Sequence, residues 1–156
     1  MSFAKKVVNR LCKKKFKISI AESCTGGLIS SSITSIAGSS KVFKIGLITY
    51  SNESKIRLLK VSKKKIFKYG AVSKEVCLDM LKNVAKIGKT NLALSITGIA
   101  GPGGGSIKKP VGLVFIGIKK KKKISVKKFI FKNKGRLYVQ KKALNKSLNL
   151  IFDILK

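Results

Sequence analysis

A three-layer α/β/α domain with a mostly parallel, mixed sheet is the fold this sequence predicts, and three observations predict it. Lys17–Ala21 and Leu92–Thr97 are strongly apolar runs, too short for helices and set between segments of helical period, the pattern of buried parallel strands. Val111–Ile118 and Ile124–Phe131 are β-rich runs separated by lysines, which reads as a hairpin and makes the sheet mixed. Between these runs, apolar stripes recur at helical spacing, for example Val76, Cys77, Met80, Leu81, Val84 and Ala85.

Taken in order, Phe3 to Lys14 is a helix with Val7, Val8, Leu11 and Cys12 on its apolar face. After the strand at Lys17–Ala21, the stretch AESCTGGLIS turns into a helix that carries Leu28, Ile29, Ile33 and Ile36 and runs to about Ile36. Ala37–Ser40 is a loop and Phe43–Tyr50 a strand, after which Ser51-Asn52 caps a helix over Glu53–Leu59. Ser62–Tyr69 is a short helix ended by Gly70, and Ser73 caps the next helix. Gly98–Lys109 is a glycine-rich loop, and a last helix starts near Arg136 with Leu137, Leu144, Leu148, Ile151, Phe152 and Leu155 repeating along it.

The chain has 156 residues, no internal repeat and no linker-like segment, so it reads as a single domain over 1–156. No run approaches the length needed to span a membrane, and the amphipathic N-terminus reads as a first helix, not a signal core. Cys12, Cys24 and Cys77 form no CxxC pair, which fits a reduced, cytoplasmic protein. The formal charge is +31, with 36 Lys and Arg against 5 Asp and Glu. Such a charge invites a nucleic-acid reading. Against it, Arg10, Arg57 and Arg136 are the only arginines, although planar phosphate recognition favours Arg, and the lysines fall on every predicted element. Joint enrichment of Lys, Ile and Asn points to codon drift in an AT-rich genome. No specific nucleic-acid partner is therefore expected, only nonspecific adhesion to polyanions at low salt.

The chain contains no histidine, which excludes a Ser-His-Asp triad, a His-Glu-x-x-His zinc site and a Cys-His pair. The loop TGIAGPGGGS matches neither a P-loop nor a well-placed GxGxxG, and no metal or cofactor is called for. Glu22, beside a turn, reads as a helix-dipole partner or hydrogen-bond acceptor. What remains is a serine activated by a neutral lysine. Ser23, the segment Tyr50 to Lys55, and Thr97 to Gly105 all follow strands of an open α/β sheet, whose carboxyl ends gather ligands in one crevice. Glycines there suit close backbone approach, so Gly101→Val is expected to impair binding with little change in fold. Lys55 as a base needs its charged form penalised, by burial and by the field of the other lysines, with Glu53 engaged elsewhere.

The motifs AESCTGGLISSSIT, ITYSNESK, YGAVSKEV and SITGIAGPGGGSIKKPVGLVFIGI, in that order, resemble the CinA C-terminal-domain family of stand-alone nicotinamide-nucleotide amidases, from about Val7 to Ala143. The resemblance implies metal-free hydrolysis of a small-molecule nucleotide, nicotinamide mononucleotide, to nicotinate mononucleotide and ammonia in pyridine-nucleotide recycling. It also implies a homodimer, and the chain leaves no room for the other domain of longer members. By motif, Ser23 matches the nucleophile and Lys55 the base, with Tyr50 assisting. Thr97 and the loop through Gly105, Gly98 and Gly101 included, match residues lining the substrate pocket, and on physical grounds the backbone N–H groups near Cys24 and the Thr25-Gly26-Gly27 helix start suit an oxyanion. Arg136 matches a pocket arginine, although the family's Phe-x-Gly-Asp-Arg run is here Phe131-Lys-Asn-Lys-Gly-Arg136, one residue longer, and Gln140 stands where a second arginine is common. Alternative readings are a catalytically degenerate family member acting as an interaction module, a basic nucleic-acid-binding domain, and attack by Cys24 in place of Ser23.

Overall fold

The computed structural model describes all 156 residues. Its elements in chain order are α1 (Phe3–Lys13), β1 (Ile18–Glu22), α2 (Leu28–Thr34), a 3-10 turn (Ser39–Lys41), β2 (Phe43–Ile48), α3 (Asn52–Leu59), α4 (Lys63–Tyr69), α5 (Lys74–Gly88), β3 (Leu92–Gly98), β4 (Leu113–Lys120), β5 (Lys123–Ile130) and α6 (Arg136–Ile154). The sheet order is β2-β1-β3-β4-β5. β1 pairs in parallel with β2 and β3, whereas β4 runs antiparallel to both β3 and β5, so the sheet is mixed as the hairpin predicts.

Strand alternation divides the core into two layers. Ile18, Ile20, Leu92, Leu94 and Ile96 face α1, α2 and α6, where they join Val7, Leu11, Ile29 and Ile151 in the larger cluster. Ala21 and Ala93 face α5 with Val76, Met80, Leu81 and Val84. On that second face Ser19, Ala21 and Ala93 of the central strands are small, and α5 approaches closely: a Cβ on Gly88 would lie 2.0 Å from Ser19 Oγ. No helix is long and apolar enough to cross a membrane.

Serine caps start four helices. The hydroxyls of Ser2, Ser51, Ser62 and Ser73 accept from the N–H groups of Lys5, Ser54, Lys65 and Val76. Three local expectations are corrected. α2 stops at Thr34, followed by a 3-10 turn where a loop is expected. β4 starts at Leu113, because Gly112 turns at φ +97, where a Cβ would meet Phe131 O at 2.0 Å. Cys12 is exposed, since α1 buries Ala4, Val7, Val8 and Leu11 and Cys12 falls just outside that stripe.

The parallel strands end on one side at Glu22, Ile48 and Gly98. The segments that follow them build the site.

Candidate active site

Glu22 holds the turn after β1. Its carboxylate is fully buried and accepts four hydrogen bonds: Thr25 Oγ1 at 2.6 Å, Ile29 N at 3.1 Å, Ser30 N at 2.7 Å and Ser30 Oγ at 2.6 Å. Gly27, at the N-cap of α2, has no side chain to offer, so a carboxylate from the strand end caps that helix instead. Gly26 and Gly27 have φ of +59 and +96, the left-handed conformation the turn needs. Ser23 N donates to Ile96 O and Gly26 N to Ser23 O, which fixes the Ser23 backbone against β3.

Lys55 arrives from α3, started by the Ser51 cap just past β2. It is 1% exposed, and its amine reaches Ser23 Oγ at 2.9 Å, Thr49 O at 2.8 Å and Tyr50 O at 3.2 Å. A neutral amine has two N–H bonds and one lone pair. With the N–H bonds directed at the two carbonyls, the lone pair is left facing the Ser23 hydroxyl. Burial pushes the Lys55 pKa down to about 8, while the neighbouring Cys24 sulfur acts in the opposite direction. Glu53 is engaged elsewhere, with Arg57 at 3.1 Å on the exposed side of α3.

A cavity of about 250 Å³ opens beside this pair. Its lining includes Ser23, Tyr50, Lys55, Thr97, Gly98, Gly101 and Arg136, so those residues are brought together. Thr25, Gly26 and Gly27 lie outside the lining: Thr25 spends its hydroxyl on Glu22, and the two glycines shape the turn. The N–H group of Cys24, which lines the cavity, donates to no protein acceptor and remains available next to Ser23. Tyr50 lines the cavity, but its phenol oxygen accepts from Arg136 and its carbonyl from Lys55. Thr97 turns its hydroxyl to Ala71 O at 2.9 Å and thereby pins the α4–α5 loop over the cleft.

Asn52, Gly103 and Gly104 also line the cavity, within the segments Tyr50 to Lys55 and Thr97 to Gly105 that the sequence marks, whereas Ala71 and Val72 line it without having been assigned a site role. Gln140 donates to Cys24 O at 2.9 Å across 116 residues of sequence, a contact no local pattern announces. The motif YGAVSKEV and the Ser73 cap after Gly70 are the signals for the Ala71–Val72 loop. Cys24 is buried in the larger core cluster, and burial pushes its thiol up to about 12. No group of three or more His, Cys, Asp or Glu side chains is gathered as a metal site.

Residues 1–155 match the family model of the CinA C-terminal domain. The chain is 48% identical over 151 residues to a CinA-like protein of Prochlorococcus marinus, covering 96% of this chain and 36% of that protein. It is 53% identical over 122 residues to a CinA-like protein of Kosmotoga olearia, covering 78% of this chain and 30% of that protein. The chain thus spans about a third of the length of these curated relatives. The crystal structure of the competence/damage inducible protein CihA from Agrobacterium tumefaciens superposes with a TM-score of 0.93 at 33% identity, covering 100% of this chain and 98% of that one. A competence-damaged protein (CinA) superfamily structure from Enterobacter cloacae gives 0.93 at 27% identity, with 99% and 90% covered. With its fold, its motifs and nearly its whole length in agreement, the chain belongs to the CinA C-terminal-domain family.

Proposed function

We propose that the chain hydrolyses the carboxamide of nicotinamide mononucleotide, giving nicotinate mononucleotide and ammonia, with Ser23 as nucleophile and Lys55 as base. The observation that carries this reading is the 2.9 Å contact between Lys55 Nζ and Ser23 Oγ, made by a buried amine whose pKa is lowered to about 8. The substrate class rests on the resemblance of the motifs to nicotinamide-nucleotide amidases. Arg136 at the cavity edge offers a cation for the nucleotide phosphate.

Ser23 Oγ attacks the carboxamide carbon and its proton passes to the lone pair of neutral Lys55. The oxyanion then accepts from the free N–H group of Cys24, which lines the cavity. Lys55 returns the proton to the departing nitrogen, ammonia leaves, and Ser23 is left as an ester. Water gives a proton to Lys55 as it attacks that ester. Lys55 hands the proton to Ser23 Oγ, and the carboxylic acid product ionises.

Attack by Cys24 is disfavoured, because a thiol pushed up to about 12 stays protonated at neutral pH. Ammonia release from nicotinamide mononucleotide, measured for the wild type and Ser23→Ala, tests the reading. Turnover in the wild type with none in Ser23→Ala is expected. Equal turnover in both, or none in the wild type, would refute it.

A further inference from the structure

Folding gathers the lysines that the sequence spreads. The parallel strands begin, and the β4–β5 hairpin turns, at the pole opposite the Ser23 cleft, since Leu92 at the start of β3 pairs with Lys120 at the end of β4. α1 and α5 end there too, and Lys120 Nζ reaches Ile154 O at the end of α6 at 2.7 Å. At this pole a concave bowl of about 430 Å³ is lined by Lys14, Lys15, Lys17, Lys89 and Lys121 along with three uncharged residues. Adjoining hollows add Lys41 on one side and Lys120, Lys122, Lys123 and Lys156 on the other. Asp153 is the one acidic side chain lining them, and Lys156 holds it at 2.7 Å. Glu22, Glu53 and Glu75 lie toward the opposite end, at the end of β1 and in the first turns of α3 and α5.

The backbone marks the same place. The non-glycine residues with left-handed φ are all lysines: Lys15 at 56, Lys60 at 52, Lys89 at 51 and Lys121 at 54. Glycine or asparagine ordinarily fills such positions, and a residue with a Cβ is strained there by about 1 kcal/mol or more. Three of the four line the bowl; Lys60 ends α3 outside it. Compensation of helix dipoles accounts for a cation at each helix end, but not for a ring of lysines around one hollow.

The chemistry of the ring selects phosphate. No arginine lines the bowl, and its aromatic residue, Phe16, is half-buried with the Lys120 amine 5.6 Å from its ring centroid, so lysine ammonium groups, which pair with phosphate as point charges, dominate the lining. A flexible strand can lower its phosphates into a hollow that a rigid duplex must bridge. We propose that this pole docks single-stranded nucleic acid through its phosphate backbone, without sequence preference and independently of the Ser23 cleft.

The test is fluorescence anisotropy of a labelled oligouridylate of about 20 nucleotides at about 0.15 M salt. The triple variant Lys15→Gly, Lys89→Gly, Lys121→Gly relieves left-handed strain, so it should fold at least as stably as the wild type. It should lose about tenfold or more in affinity, and the slope of log affinity against log salt should become shallower by about 2. A charge-matched control, Lys60→Gly, Lys74→Gln, Lys141→Gln, should stay within about threefold of wild type. A variant that touches no left-handed position, Lys14→Gln, Lys17→Gln, Lys41→Gln, should repeat the loss and guards against a folding artefact. Equal losses in bowl and control variants, no wild-type binding at this salt, or tighter binding of a duplex of the same length would each overturn the proposal.

Discussion

The guanidinium of Arg136 donates to the phenol oxygen of Tyr50 at 2.5 Å and to Gly101 O at 2.8 Å. The first turn of α6 thereby ties the segment after β2 to the glycine loop after β3, across the cavity that contains Ser23. The Tyr50 phenol oxygen accepts from Arg136 and does not touch Lys55, which is oriented instead by the Tyr50 carbonyl that any residue at that position would supply. Arg136→Leu should therefore raise KM for nicotinamide mononucleotide about tenfold or more, with kcat changed far less. Tyr50→Phe should keep kcat within about threefold. Steady-state kinetics on both variants checks the pair. A large kcat loss in Tyr50→Phe would make the phenol a proton donor.

Gly101 and Gly103 separate structure from binding. Gly101 has φ +84, and a Cβ there would lie 2.6 Å from Val111 Cγ1, which corrects the expectation that Gly101→Val leaves the fold unchanged. Gly101→Ala should lower stability by about 1–3 kcal/mol in denaturant titration. Gly103 also lines the cavity, has an ordinary φ, and its added Cβ meets nothing within 4 Å. Gly103→Ala should leave the denaturation midpoint unchanged or slightly raised and should raise KM. An unchanged KM would mean that the substrate does not reach this part of the loop.

Glu22 is the anchor of the nucleophile turn. Glu22→Gln replaces one acceptor oxygen by an NH2 group among donors that include two backbone N–H groups, which leaves buried donors facing one another. Stability should fall by roughly 2–4 kcal/mol, and kcat should fall with it as Ser23 loses its fixed position. Urea unfolding and ammonia release measured on the same preparation check this. Wild-type stability in Glu22→Gln would show that α2 does not depend on this cap.

The sheet, the helix caps and the strand-end gathering of Ser23, Lys55 and Thr97 were legible in the sequence because each follows a local rule: a period, a hydroxyl before a helix, or the carboxyl edge of an α/β sheet. The rest depends on tertiary geometry. Glu22 is recognisable as an acceptor, but not as the cap of a helix that starts six residues later. The direction of the Thr97 hydroxyl, toward Ala71 on the α5 side, follows from strand register. The lysines of the bowl look scattered along the chain because loops and helix ends distant in sequence meet at one pole.

Lys55 also links pH to stability. Its folded pKa of about 8 lies below its ordinary 10.5, so below pH 8 the folded state carries a buried charge that the unfolded state solvates freely. Across pH 8 to 10.5 the unfolded chain binds more protons at this site, and stability rises with pH. Cys24 and Cys77, both pushed up to about 12 from 9.0, act the other way above pH 9, so the comparison must be with a variant that keeps them. The stability of wild type relative to Lys55→Met should rise by roughly 3 kcal/mol between pH 7.5 and 10.5 in urea titrations. A difference that stays constant with pH would mean that Lys55 titrates alike in both states.

The most direct test of the Ser23–Lys55 mechanism is the pH dependence of kcat/KM for nicotinamide mononucleotide, which reports the free enzyme's base. Neutral Lys55 must be present for Ser23 to lose its proton, so kcat/KM should rise with a single apparent pKa near 8 and then level off. Lys55→Arg, whose guanidinium stays protonated, should show no turnover at any point of the profile. A profile that is flat through pH 8, or a Lys55→Arg enzyme that still releases ammonia, would contradict the assignment of Lys55 as the base.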